Sequence, residues 1–234
     1  MVIGLTGGIG CGKTAAAACF ARRGFQIVDA DALAREVLTS PACVAQLVGR
    51  WGQACLAGEG TPDRAWIAAK VFADPAERAF LESITHPEVA RRRAQAVADR
   101  SRHHVVEIPL LFEKDLAAEF DAVVCVSSSD PVRFLRLEHR GLSPEAAKAR
   151  MNSQAPLAEK VKKADYVLFN DGDLAFLDAQ VADLVDRLQT EVYNRFCPTL
   201  RLRQGSSDLG FPFPSFRALG LTLLTPPSDW ISLP

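Results

Sequence analysis

Residues 7–14 read GGIGCGKT, four glycines within six positions followed by a lysine and a threonine. Glycine loses more freedom on folding than any other residue, so such a cluster persists only where a Cβ would obstruct something close to the backbone. An apolar run, Val2–Thr6, precedes it, and an alanine-rich stretch, Thr14–Arg23, follows and ends at Gly24, a residue suited to the position just past a helix. The order is strand, glycine loop, helix. Spaced as Gly7-x-x-x-x-Gly12-Lys13-Thr14, the loop matches a phosphate-binding pattern in which backbone N–H groups turn inward around a phosphate and the helix adds its positive end. Lys13 would reach the β and γ phosphates and the Thr14 hydroxyl would hold Mg²⁺. Gly8, Gly10, Cys11, Gly12 and Ala15 complete the cradle. The bland alternative is a tight turn with an incidental lysine.

Four further short apolar runs predict strands at Phe25–Asp29, His104–Ile108, Asp121–Val126 and Tyr166–Phe169, with the β-branched content of buried parallel strands. The fold class is therefore α/β, a five-stranded parallel sheet flanked by helices. Leu33–Arg102 is too long for one crossover helix and is assigned as an inserted helical subdomain, residues 33–102, of the kind that usually binds a substrate. Asp74-Pro75-Ala76-Glu77 opens a helix there as N-cap, N1 proline and N3 glutamate, and His86-Pro87 is expected to break it. The core is residues 1–32 and 103–196. Residues 140–164, rich in Arg, Lys and Ala, are a mobile cover or lid, with a helix starting at Ser143-Pro144-Glu145. Leu174, Leu177, Val181, Leu184, Leu188 and Val192 recur at helical spacing in a long amphipathic helix over Asp173–Tyr193. Residues 197–234, rich in proline and without sustained period, are an irregular extension.

With 234 residues, 48% hydrophobic, the chain can bury a full core, and its formal net charge of −1 argues against nucleic acid or an anionic membrane as main partner. Cys11, Cys19, Cys43, Cys55, Cys125 and Cys197 show no C-x-x-C spacing and no histidines at metal-ligand intervals. They read as free thiols in a reducing, cytoplasmic compartment. No stretch approaches a membrane span. Oligomeric state stays open.

A triphosphate in such a loop serves a kinase, a GTPase switch or a motor. Neither D-x-x-G nor N-K-x-D occurs in the chain, and motors usually need longer chains. An acidic pair at the end of strand two, a helical insertion and a basic segment before strand five instead describe a small-molecule kinase. In order along residues 2 to about 195, TGGIGCGKT, DADALAR (Asp29–Arg35), HPEV (His86–Val89), IPLLFE (Ile108–Glu113), RMNSQAP with Lys160 and Ala164-Asp165, and FNDG (Phe169–Gly172) resemble the dephospho-coenzyme A kinase family. The resemblance implies a P-loop NTPase fold of the nucleoside-monophosphate-kinase kind. It also implies ATP-dependent phosphorylation of the ribose 3′-hydroxyl of dephospho-coenzyme A, the last step of coenzyme A synthesis. A sister kinase for a nucleoside monophosphate or polyol, or a non-catalytic ATP-binding switch, are the rival readings.

The family's catalytic aspartate falls on Asp31, at the carboxyl end of the second strand where open α/β sheets face their crevice. A helix N-cap for Ala32–Leu38 is its structural alternative, and Asp29 is expected to be structural or near the metal. Arg140 and Arg150 are lid arginines that would neutralise charge on the transferred group. Lys148, Lys162 and Lys163 read as a solvated face. Arg64 and His86 lie in the subdomain that the family uses to hold the acceptor, although His86 reads equally as a buried histidine bonded to backbone. Pro109, Leu110 and Leu111 are expected to line the acceptor crevice, and Asn170 and Gly172 to meet adenine. Cys11 stands where most of the family has serine, and its place near a helix N-terminus favours a thiolate, hence an expectation of oxidant sensitivity.

Overall fold

The computed structural model describes residues 1–196. Val2–Gly7 forms β1, buried at all six positions, as an unbroken apolar run in a parallel sheet should be. With β2 (Gln26–Asp29), β3 (His104–Glu107), β4 (Ala122–Ser127) and β5 (Tyr166–Phe169), the strands take the order β2-β3-β1-β4-β5. The expected five-stranded parallel sheet is thus present, with strand ends within one or two residues of the expected ones. By internal contacts the chain divides into Met1–Val2 with Gln26–Ile108, and Ile3–Phe25 with the described residues from 109 onward.

In the first unit, β2 pairs with β3 from Gln26↔His104 to Asp29↔Glu107. Four helices lie between them, α2 (Ala30–Leu38), α3 (Pro41–Trp51), α4 (Arg64–Ala73) and α5 (Pro75–Ala96). Ser40, Asp63 and Asp74 cap α3, α4 and α5 through side-chain oxygens, and Pro41 and Pro75 occupy the first turn, where a missing N–H is harmless. The core holds Cys43, Leu47, Cys55 and Ile67. Beside it Trp51 meets Trp66 and Phe80 edge to face, centroids 5.8 and 5.4 Å apart. Glu77 serves this cluster rather than a capping box, accepting from Trp51 Nε1 at 2.7 Å and from Arg50 Nε at 3.2 Å. Those bonds hold its carboxyl below the ordinary value.

The expected break at His86-Pro87 does not occur, and α5 runs 22 residues through Pro87. A proline inside a helix removes one N–H bond and crowds the carbonyl four residues back. Here that residue, Ser83, is exposed, so water can meet the released carbonyl, while packing on α2 and α4 keeps the axis going.

In the second unit β4 pairs in parallel with β1 (Ile3↔Ala122 to Gly7↔Val126) and with β5 (Val124↔Tyr166 to Ser127↔Phe169). Its helices are α1 (Lys13–Ala21), α6 (Asp130–Glu138), α7 (Pro144–Asn152), α8 (Leu157–Lys163) and α9 (Leu174–Phe196). Leu177, Val181, Leu184 and Leu188 of the anticipated stripe are buried on α9. Arg22 and Arg23 at the end of α1 both grip Asp178 of α9, at 2.7 Å each. The proposed extension, residues 197–234, lies outside the described residues, as does the side chain of Val192. Among the described residues no helix is long and apolar enough to cross a membrane.

Candidate active site

The glycine loop joins β1 to α1. Gly7 has φ +146° and passes so close to Val126 that a Cβ would strike its carbonyl oxygen; Gly12, at φ +87°, is the residue before α1, and a Cβ there would strike Asn170 Nδ2. Both positions therefore demand glycine. Gly8, Gly10 and Cys11 are buried, Gly12 and Ala15 half-buried, and Thr14 exposed in the first turn of α1. Lys13 folds back over the loop, with Nζ 3.3 Å from both the Gly7 and Gly8 carbonyl oxygens.

The outward carbonyls are tied from behind. Arg133 Nε donates to Ile9 O at 3.0 Å, Arg136 to Gly10 O at 3.4 Å, and Asn170 Nδ2 to Cys11 O at 2.9 Å. Arg136 also donates to Ser128 Oγ and to Asn170 O, at 3.1 and 2.7 Å. A trans peptide sets the N–H of one residue opposite the C=O of the one before it. Holding the Ile9 and Cys11 carbonyls to the rear turns the N–H groups of Gly10 and Gly12 the other way, while the Cys11 N–H closes a turn onto Gly8 O at 3.2 Å. Inward amides, the start of α1 and an ammonium make an anion cradle. Replacing Gly12 by alanine should force an unfavourable φ worth about 1–2 kcal/mol and dislodge Asn170, so the ATP KM should rise about tenfold; an unchanged KM would show that the loop tolerates a Cβ there.

Cys11 corrects the thiolate expectation. Its side chain is fully buried, and burial pushes the thiol up despite the opposing pull of Arg133 and Lys13. A protonated, inaccessible sulfur is not an oxidant sensor. Asn170 is likewise buried and its amide is committed to the loop, whereas Gly172 is exposed beside Phe176.

Pro109–Glu113 follows β3. The Pro109 carbonyl accepts from Thr6 Oγ1 at 3.3 Å and from Lys160 Nζ at 2.7 Å. Leu111 is fully buried and Leu110 exposed, so the two adjacent leucines have different surroundings. Lys160 is 0% exposed and pairs with Glu113 at 2.8 Å. Burial pushes the Glu113 carboxyl up, but bonds from Lys160 and the Ala155 N–H bring it below its ordinary value. Arg140 follows α6, Arg150 lies on α7, and both are exposed. Ser143 caps α7 as anticipated, accepting from the Ala146 N–H.

In the first unit the N-cap of α2 is Asp29, whose Oδ1 accepts from the N–H groups of Asp31 and Ala32 at 2.8 and 3.0 Å. The capping alternative for Asp31 is thereby corrected: Asp31 stands exposed in the first turn, one residue inside the helix. Arg64 opens α4 and is exposed. His86 is exposed on α5, not the buried histidine that its neighbouring proline suggested. Arg133, Arg136, Ser128 and Gln154 escaped sequence reasoning, because an arginine pair three apart on a polar helix reads as solvated surface.

A family model described as Dephospho-CoA kinase matches residues 1–175. The Dephospho-CoA kinase of Syntrophotalea carbinolica is 46% identical over 195 residues, covering 80% of this chain and 92% of that protein. That of Thermobifida fusca is 37% identical over 198 residues, covering 82% and 98%. Among solved structures, TT1252 from Thermus thermophilus superposes with a TM-score of 0.72 at 34% identity, over 80% of this chain and 97% of that one. The Dephospho-CoA kinase from Campylobacter jejuni gives 0.63 at 26% identity, over 82% and 98%. A glycine loop with its carbonyls tied back, on a sheet of this order and in a chain that spans nearly the full length of these proteins, places the chain in the dephospho-CoA kinase family.

Proposed function

We propose that the chain transfers the γ-phosphoryl group of ATP to the ribose 3′-hydroxyl of dephospho-coenzyme A, giving coenzyme A and ADP. The observation that carries this reading is the anion cradle of residues 7–15 in a chain of this family. The acceptor oxygen attacks the γ-phosphorus, the bond to the β–γ bridging oxygen breaks, and the hydroxyl proton leaves to a base. Asp31 is that base. Lys13 and the loop amides hold the β and γ phosphates. Arg140 and Arg150 meet the charge spread over the transferred group and exclude water. Mg²⁺ fits the cradle, since such a cation takes few protein ligands beside phosphate oxygens and water and Thr14 presents a hydroxyl at the exposed start of α1; when bound it neutralises phosphate charge. Residues 33–102 with Arg64 and His86, together with Pro109, Leu110 and Leu111, receive the acceptor. Asn170 supports the adenine side through the loop, with Gly172 beside it. The five described cysteines are free thiols, in keeping with a cytoplasmic enzyme acting on a small molecule.

A coupled assay for ADP release tests this. Release should depend on added dephospho-coenzyme A and be negligible with AMP, CMP or gluconate. ADP release that ignores dephospho-coenzyme A, or prefers another acceptor, overturns the assignment.

A further inference from the structure

Between α7 and α8 lie Ser153–Pro156, a short linker fixed at two neighbouring residues. Gln154 Oε1 accepts from the Ile9 N–H of the phosphate loop at 3.0 Å. The next residue, Ala155, donates its N–H to Glu113 Oε1 at 2.9 Å. Glu113 is in turn held by buried Lys160 of α8, whose ammonium also reaches Pro109 O, and Pro109 O is bonded to Thr6 of β1. These bonds close a ring that leaves β1 at Thr6 and returns to the loop at Ile9. Arg133 holds the carbonyl of Ile9, so its peptide groups are fixed on both sides. The other end of α7 is different. Gly141 there has φ +80° and nothing within 4 Å of a Cβ position, and its N–H and that of Leu142 close the end of α6 on Glu138 O and Leu137 O, with no bond to the loop among the described residues.

We propose that Gln154 is a positioning residue for phosphoryl transfer, setting the register between the phosphate loop and the helix that carries Arg150. The proposal rests on the kinase reading above. Arg150 lies four residues before Gln154, one turn away, on a helix joined to α6 through Gly141 at one end and to the pinned linker at the other. Lid movement then pivots at Gly141 while the Gln154 end stays tied to the loop that holds the triphosphate. The ring also assigns α8 to the fixed body of its unit, narrowing the moving part of residues 140–164 to about 140–153. Among the described residues, Gln154 is the side chain of this segment bonded to the loop backbone itself.

Gln154→Ala removes the tie without removing a charge. Misplacing a charge-neutralising arginine by about an ångström costs roughly 10²-fold in rate, so kcat should fall about 10- to 100-fold while the ATP KM moves less than about threefold. A loosened lid also admits water, whose oxygen attacks the γ-phosphorus as the bridging bond breaks, giving ADP and inorganic phosphate. The ratio of ADP formed to coenzyme A formed should therefore rise above one. Gln154→Glu keeps an acceptor for the Ile9 N–H. It should keep that ratio near one while its charge near the triphosphate raises the ATP KM several-fold.

Equal losses in kcat and ATP affinity with an unchanged product ratio, or a Glu variant as uncoupled as the Ala variant, overturn the proposal. If the wild-type protein releases no ADP in response to dephospho-coenzyme A, the kinase reading has failed instead. An active, coupled wild type with an equally active, coupled Gln154→Ala variant sinks the positioning role alone.

Discussion

Asp31→Asn should lower turnover with dephospho-coenzyme A by about 10²- to 10⁴-fold, the range that a positioned general base contributes, and leave ATP binding unchanged by titration. The substitution keeps the side-chain shape and removes its capacity to accept the proton of the incoming hydroxyl. Its interpretation is clean because the cap of α2 belongs to Asp29, so losing the Asp31 charge does not open that helix, and stability should stay within about 0.5 kcal/mol of wild type. Asp29→Ala should behave oppositely, costing about 0.5–2 kcal/mol through the lost cap. Near wild-type turnover for Asp31→Asn would falsify its role as base.

Lys160→Met should destabilise the protein by about 2–3 kcal/mol, measured by urea denaturation. Breaking a buried ion pair by removing one partner costs roughly 3–5 kcal/mol; the figure is reduced here because the Glu113 side chain is 21% exposed and water can take part of its charge. The pH dependence follows from the direction of the Glu113 shift. Its folded value is depressed below the ordinary 4.5, so it contributes stability at pH above that value and loses it as pH falls and the carboxylate is protonated. The stability gap between wild type and variant should accordingly be largest near neutrality and shrink in acid. A gap independent of pH would mean that the substitution costs stability through packing alone.

The parts legible in the sequence were those written in local spacing. The five strands were short apolar runs, and β5 begins and ends at the expected residues because Asp165 and Asn170 flank an uninterrupted Tyr-Val-Leu-Phe. The phosphate loop was legible because its spacing is complete within eight residues, although the atoms that exclude a Cβ at Gly7 and Gly12 belong to the distant Val126 and Asn170. Pro87 misled, since a proline's cost is local but continuation of α5 is decided by packing and by solvent at Ser83. Lys160 sits in a run of basic residues whose neighbours Lys162 and Lys163 are solvated as anticipated, yet its own amine is buried. Its partners are 47 and 51 positions away, and no local pattern reports them. The arginines behind the loop were hidden for the same reason, at 124 and 126 positions.

The double grip on Asp178 sets a lower bound on how far this polypeptide can be trimmed. The family match ends at residue 175, three positions short of the carboxylate that clamps the far end of the helix whose near end completes the cradle. A fragment cut at that border would forfeit both arginine contacts and the apolar seam from Leu177 to Leu188. The smallest self-sufficient piece therefore runs past the recognisable signature, at least through that seam.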